Sequence, residues 1–245
     1  MENKFKFSHS RIRTFAEELF SAAKIFYNER LNNSPAFEED GEKIAEVADI
    51  ISITLNYVEK TGGLSVRAAE KDVLGNCISA LYPLTGEILI LGEEYHRIIT
   101  PESYWLPVII AHEIGHWVLH APVFRRFRRQ LDLFEECRLA STYAEIGNMG
   151  GKDISILDQQ ANFFARELLL PEAKIITALH QLGYFPPLIY KEHHLTLMSF
   201  EEYTRRLAEK VHQLLPAPLQ LLSFRLLELG ILQNKVHSGQ FRYSA

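Results

Sequence analysis

With 245 residues, 47% of them hydrophobic, the chain can bury a substantial core, which excludes a disordered tail or a small disulfide-stapled polypeptide. A formal net charge of -5 and a pI near 6.1 speak against wholesale binding to nucleic acid or to an anionic membrane surface. Two cysteines, Cys77 and Cys137, lie far apart without CxxC spacing, so neither a disulfide framework nor a thiolate zinc site is expected, and a reducing cytoplasm fits best.

The first residues, MENKFKFSHSRIRTFAEEL, include basic side chains but no apolar run of signal-peptide length, so export is not expected. From Ile12 to Leu31 the apolar residues Ile12, Phe15, Leu19, Ala22, Ala23 and Phe26 follow helical spacing, with Glu17 and Glu18 on the other side. A polar break, NNSPAFEEDGEK, leads to a short helix around Lys43 to Asp49. The next segment, IISITLNYV (50–58), is rich in β-branched and aromatic residues and reads as a strand, turned by TGG. CISALYPLTGEILIL (77–91) reads as a hairpin, because Pro83, Thr85 and Gly86 interrupt two apolar runs.

A helix is then expected from a Thr100 N-cap, with Pro101 and Glu102 in its first turn, to about His120, where Pro122 stops it. Its apolar run YWLPVIIA (104–111) falls far short of the roughly 20 residues needed to span a bilayer. Residues 123–146 look helical and GNMGGKD is a loop. LDQQANFFARELLLP (157–171) is a strong helix closed by Pro171, and PEAKIITALHQLG begins another at that proline. The last sixty residues are helical in pattern throughout, with no internal repeat. The expected fold is α+β: mainly helical, with a small antiparallel sheet and a helical C-terminal region. The expected division is an N-terminal helical segment (1–50), a core (51–182) and a C-terminal region (183–245).

The chemistry concentrates in IIAHEIGHWVLHAP (109–122). Positions i and i+4 of a helix share one face, so His112 and His116 can aim two imidazoles at one metal ion. Glu113, one position on, can reach a metal-activated water as general base without being a ligand. The helix is otherwise apolar almost all round, and two imidazoles and a carboxylate in that setting are costly unless something satisfies them. His120 lies about 12 Å along the axis from His112 at 1.5 Å per residue, too far to share the same ion, and is expected to be a helix-end or supporting residue. The pattern HExxHxxGxxH is absent.

A catalytic zinc site usually takes three protein ligands, so a third must come from elsewhere: Glu135, Glu136, Glu145 and Asp158 are the candidates. Asp158 is favoured because it lies one turn before Ala161 and shares the inward stripe Ala161, Phe164, Ala165, Leu168, Leu169; Glu145 is the main rival. Glu167 falls off that stripe and is expected to be solvated. Tyr143, Tyr184, His193 and His194 are candidate oxyanion partners, each more often structural. The hairpin edge at Glu87 to Leu91 is a candidate for strand addition by an extended substrate. RRFRRQ (125–130) is read as a solvated face, and the tail helices, with Gln220, Ser223, Arg225 and Glu228 as the only polar positions of the second, are poorly equipped to read DNA; direct DNA binding is not expected.

AHEIGHWVLH resembles the AHELGHxxLH of ImmA/IrrE-type zinc metallopeptidases, and DQQANFFARELLLP resembles their ExxANxFAxxLLMP, whose opening acidic residue is the third zinc ligand. The LTGEILIL hairpin and LLSFRLLELGIL near the end also fit that family. One departure is Asp158 in place of the usual glutamate, one methylene shorter, which requires a closer helix or a further ligand. The resemblance implies a zincin-like core and an intracellular zinc endopeptidase that cleaves a helix-turn-helix repressor. The alternative is a non-proteolytic regulatory module that binds a repressor or DNA with a structural zinc.

Overall fold

The computed structural model describes residues 6–32, 47–97, 105–126, 138–142, 145–146, 155–190 and 198–234. The first helix, α1 (His9–Asn32), buries Ile12, Ala16 and Ala23 along one stripe, the four- and seven-residue spacing of a helix face laid on a core. It packs on α2 (Val47–Gly62) and on a later helix, α7 (Ile156–Leu169). The strand expected over 50–58 is therefore wrong: these residues form the body of α2. Burial explains why, since Ile50, Ile51, Thr54 and Val58 are all buried at helical spacing, and tertiary packing overrides the β-branched preference of the run. The short helix expected over 43–49 lies mostly outside the described residues, as do Thr100 and Pro101.

The sheet runs β1 (Ser65–Ala69), β2 (Ser79–Tyr82), β3 (Glu87–Leu91) and β4 (Leu139–Ser141), in the spatial order β1-β3-β2-β4. The expected hairpin is β2–β3, paired antiparallel with Ala80 opposite Leu89. Gly86 closes it at φ 76°, and a side chain there would meet the carbonyl oxygen of Gly63 at 2.6 Å, so both the backbone angle and the space require glycine. Two expectations fail here. The sheet is mixed rather than antiparallel, because β1 runs parallel to β3. And β3, expected to offer a free edge, is interior, flanked by β1 and β2. The helical reading of 123–146 fails in part as well: Leu139–Ser141 is a strand on the outer side of β2, although α6 (Ala121–Arg126) is helical.

One sheet face carries Ala69, Ala80 and Leu89, clustered with Leu74 of the short helix α3 (Lys71–Leu74). By strand alternation Ser79 and Leu81 point the other way, toward α5 (Trp105–Leu119), which follows the short α4 (Gly92–Arg97). α5 is buried over almost its whole length, which is why its sequence is apolar on every side. α7 lies against it at very close range. A Cβ on Gly115 would stand 3.2 Å from both Cα and O of Ala161 and 3.1 Å from the Phe164 ring, so a side chain there would push α7 away by a few tenths of an ångström.

The chain divides into two units, Met1–Leu169 and Leu170–Ala245. The second unit contains α8 (Glu172–Gln181), β5 (Leu188–Tyr190), α9 (Phe200–His212), α10 (Leu219–Glu228) and β6 (Leu232–Asn234). It is not all helical as expected, because β5 and β6 pair in parallel. Arg225, one of the polar positions of the tail, is fully buried: its Nε donates to the Leu170 carbonyl at 3.0 Å and its Nη1 to Glu228 at 2.6 Å. Among the described residues no helix is long and apolar enough to cross a membrane.

Candidate metal centre

His112, Glu113 and His116 are buried in the middle of α5. One helical turn brings Nε2 of His112 and Nε2 of His116 to 3.0 Å of each other. Asp158, in the first turn of α7, places Oδ1 3.3 Å from His116 Nε2 and 3.7 Å from His112 Nε2. The shorter aspartate reaches because Gly115 and Ala161 let the helices meet backbone to backbone. Its other oxygen is held locally: Ser155 Oγ donates to Asp158 Oδ2 and accepts from the Asp158 amide at 3.1 Å, a reciprocal arrangement that orders the start of α7. His112, His116 and Asp158 form a group that could hold a metal ion.

The surroundings fit a cation. Asn162 Nδ2 donates to the carbonyl of Glu145 at 2.8 Å, so its Oδ1 must accept from His112 Nδ1 at 2.8 Å. With its proton on Nδ1, His112 turns a lone pair at Nε2 toward Asp158 and His116. The Ser141 hydroxyl on β4 lies 3.0 Å from that nitrogen. Burial drives the imidazoles neutral: it pushes His112 down to about 3, helped by the neighbouring His116 and opposed by Asp158, and carries His116 well below its ordinary range. Neutral imidazole is the form that binds metal.

Glu113 has one oxygen engaged and one open. Ser79 on β2 donates to Oε1 at 2.5 Å, while the buried Oε2 has no hydrogen-bond partner. Burial raises the carboxyl to about 8, against the pull of the Ser79 hydroxyl; Asp158 adds to the rise and the Ser141 hydroxyl opposes it. Ser79 and Ser141 face each other in register on β2 and β4, so the sheet supplies two hydroxyls to the floor of the site.

His120 does not join the ligands; its Nδ1 stands 2.9 Å from Nδ1 of His116. Glu145 stays apart as well: its Oε2 accepts from the Thr142 amide at 2.7 Å and the Thr142 hydroxyl at 2.9 Å, and only its backbone carbonyl serves the site, through Asn162. Glu167, expected to be solvated, is instead buried and paired with Arg13 at 3.2 Å. The correction has a plain cause, since α7 is flanked by α1 as well as α5 and the side away from α5 is not open to water. Arg125 stacks on Trp117, with Cζ 3.7 Å from the ring centroid, and its Nε donates to the Pro83 carbonyl at 3.2 Å, so the first arginine of RRFRRQ serves the hairpin turn. Tyr184 accepts from Lys210 Nζ at 2.6 Å within the second unit. Glu135, Glu136, Tyr143, His193, His194 and residues 127–130 lie outside the described residues.

Five supporting residues escaped the sequence reading: Ser79, Ser141, Ser155, Gln160 and Asn162. Ser155-x-x-Asp158 carried a legible signal as a capping pattern at the start of an apolar-periodic run. The two strand serines carried none. No family model, curated protein or solved structure matches this chain, so the reading of the site rests on its geometry and chemistry.

Proposed function

We propose that the chain is a zinc-dependent endopeptidase of the ImmA/IrrE type, intracellular, with a zincin-like core and a helix-turn-helix repressor as its substrate. The observation that carries the hydrolytic part is Glu113: a fully buried carboxylate with Oε1 fixed by Ser79 and Oε2 without a partner, beside a two-histidine, one-aspartate ligand set. A structural metal site gives such a carboxylate no task. A base that must take a proton needs one oxygen held and one free.

Zinc held by His112, His116 and Asp158 would supply a water of lowered pKa and polarise a carbonyl. Glu113 accepts the water proton at Oε2 and later delivers it to the leaving amine, while the Ser79 hydroxyl keeps the carboxylate in one orientation through both transfers. A divalent cation beside Asp158 would oppose the upward push of burial on Glu113 and favour the ionised base. Asn162 and Ser155 hold His112 and Asp158 in place, the supporting role that outer hydrogen bonds play around zinc.

For the substrate backbone, β4 replaces β3 as the candidate for strand addition: it is an edge among the described strands, and it carries Ser141 into the site. The repressor as substrate rests on the resemblance of AHEIGHWVLH and DQQANFFARELLLP to that family. Zinc-loaded protein incubated with candidate repressors and with casein tests the whole reading. Cleavage of a repressor at one or few positions, lost in Glu113→Gln while zinc stays bound, is the expected result. Rapid casein breakdown beside an untouched repressor would point to a general protease, and no hydrolysis of either would return the site to a non-proteolytic binding role.

A further inference from the structure

We infer that Gln160 and His120 form a relay that sets the tautomer of His116, turning its Nε2 lone pair toward His112 and Asp158. The inference rests on the metal reading above and deepens it, by assigning positioning roles to two residues that touch no ligand atom of the ion.

The relay is read from its outer end inward. Gln160 on α7 places its amide oxygen 3.1 Å from His120 Nε2. An amide oxygen only accepts, so His120 donates from Nε2. A neutral imidazole has a single N–H, which leaves Nδ1 of His120 bare. That bare nitrogen lies 2.9 Å from Nδ1 of His116; with the ion of the metal reading standing between the two Nε2 atoms, 3.0 Å apart, the one proton of His116 belongs at the Nδ1 contact. With its proton on Nδ1, His116 presents Nε2 as a lone pair, 3.3 Å from Asp158 Oδ1 and 3.0 Å from His112 Nε2.

At His112 the same result is reached by a different device, the amide of Asn162 held by the Glu145 carbonyl. Both amides, Gln160 and Asn162, stand on the helix that supplies Asp158, so one helix delivers the carboxylate and orients both imidazoles. The outcome is three acceptors, two lone pairs and a carboxylate oxygen, converging on one point, an arrangement that a cation relieves. Gln160 and His120 are both buried, and the Phe7 ring lies 6.3 Å from the His120 ring, so bulk water does not replace the relay bonds at low cost.

The test uses the full chain, with zinc titrated against a chelating dye and long-range proton–nitrogen spectra of metal-free, imidazole-labelled protein. Wild type should bind zinc and carry the His116 proton on Nδ1 before metal is added. Gln160→Leu should lose that single tautomer and weaken zinc by about 10- to 100-fold, the range for removing an outer partner of a metal ligand. Gln160→Glu, which keeps an acceptor, should retain both tautomer and affinity. His120→Phe should reproduce Gln160→Leu, which guards against a folding defect peculiar to one variant. Equal zinc affinity in Gln160→Leu, His120→Phe and wild type, or a metal-free wild type with the His116 proton on Nε2, overturns the relay. A wild type that takes up no zinc yet holds the Nδ1 proton supports the relay and overturns the metal reading, so the two failures are separable.

Discussion

Both units of the molecule bury charge-bearing side chains, and two of these groups, Arg225 in one unit and His112, His116 and Asp158 in the other, are treated in opposite ways. In Leu170–Ala245, Arg225 is sunk completely and two of its three nitrogens are met by named acceptors, Nε by the Leu170 carbonyl and Nη1 by the Glu228 carboxylate. In Met1–Leu169, the outer atoms of His112, His116 and Asp158 are bonded in the same thorough manner, but their inner atoms are acceptors facing acceptors, and Glu113 keeps one oxygen without a partner. Donor-to-acceptor closure is what a fold does with a polar group it merely tolerates, since an unsatisfied buried group costs about 1–3 kcal/mol. Convergence of acceptors is what a group that could hold a cation requires. The contrast sets the His112, Glu113, His116 and Asp158 group on α5 and α7 apart as the candidate site.

The largest effect should come from the open oxygen. Glu113→Gln keeps the shape of the side chain and removes the base, so peptide hydrolysis should fall by about 100- to 10,000-fold with zinc content unchanged. Rate and bound metal measured on the same preparation check it; an unaltered rate would show that Glu113 takes no proton. Next comes the third ligand. Asp158→Ala should lower zinc affinity by at least about 10- to 100-fold, whereas Glu145→Ala, which removes only a cap on Thr142, should leave it nearly unchanged. The reverse ranking would transfer the third position to Glu145 and break the acceptor argument.

The second unit should respond in stability rather than in metal. Arg225→Leu removes a buried cation and leaves the Leu170 carbonyl and Glu228 without their partner, a loss of about 3 kcal/mol by analogy with broken buried pairs. Denaturant titration of the zinc-loaded chain would read it, with zinc affinity as the control expected not to move. A neutral result would mean that Arg225 is less tightly closed than its bonds imply, and the contrast between the units would lose one side.

How much of this was legible beforehand follows from which forces act locally. His112, Glu113 and His116 could be read from spacing alone, because a helix fixes the direction of neighbouring side chains by its own geometry. Asp158 could be reached from periodicity, since its place on the inward stripe of α7 needs only 3.6 residues per turn. The position of β3 could not, because strand order is set by long-range pairing: β1 enters beside β3 from outside the hairpin, and nothing in LTGEILIL announces it. Residues 50–58 misled for a related reason. Their β-branched composition is a weak local preference, whereas the buried series Ile50, Ile51, Thr54 and Val58 carries the helical period and was the stronger signal. Glu167 failed because one helix stripe was assumed, and α7 has two packed sides.

The smallest expected effect lies on the surface of α9 and sharpens the contrast from its exposed end. Glu202 accepts from Arg205 and Arg206, and these bonds hold its carboxyl at about 2, below the ordinary value of 4.5. A carboxylate lowered in the folded state contributes stability that is complete above the unfolded value and is lost as pH falls from 4.5 through about 2. The group is exposed, so solvent and salt screen the contribution and it should be slight. Thermal melts of wild type and Glu202→Gln should differ a little at neutral pH in dilute buffer. The difference should disappear below pH 2, where both side chains become uncharged, and shrink at about 1 M salt, where the screening length falls to about 3 Å. Arg225→Leu should keep most of its deficit in that same salt, because a buried donor set is beyond the reach of ions. If salt erased both deficits equally, burial would not be what separates the two kinds of polar group, and the argument for the metal centre would have to rest on spacing alone.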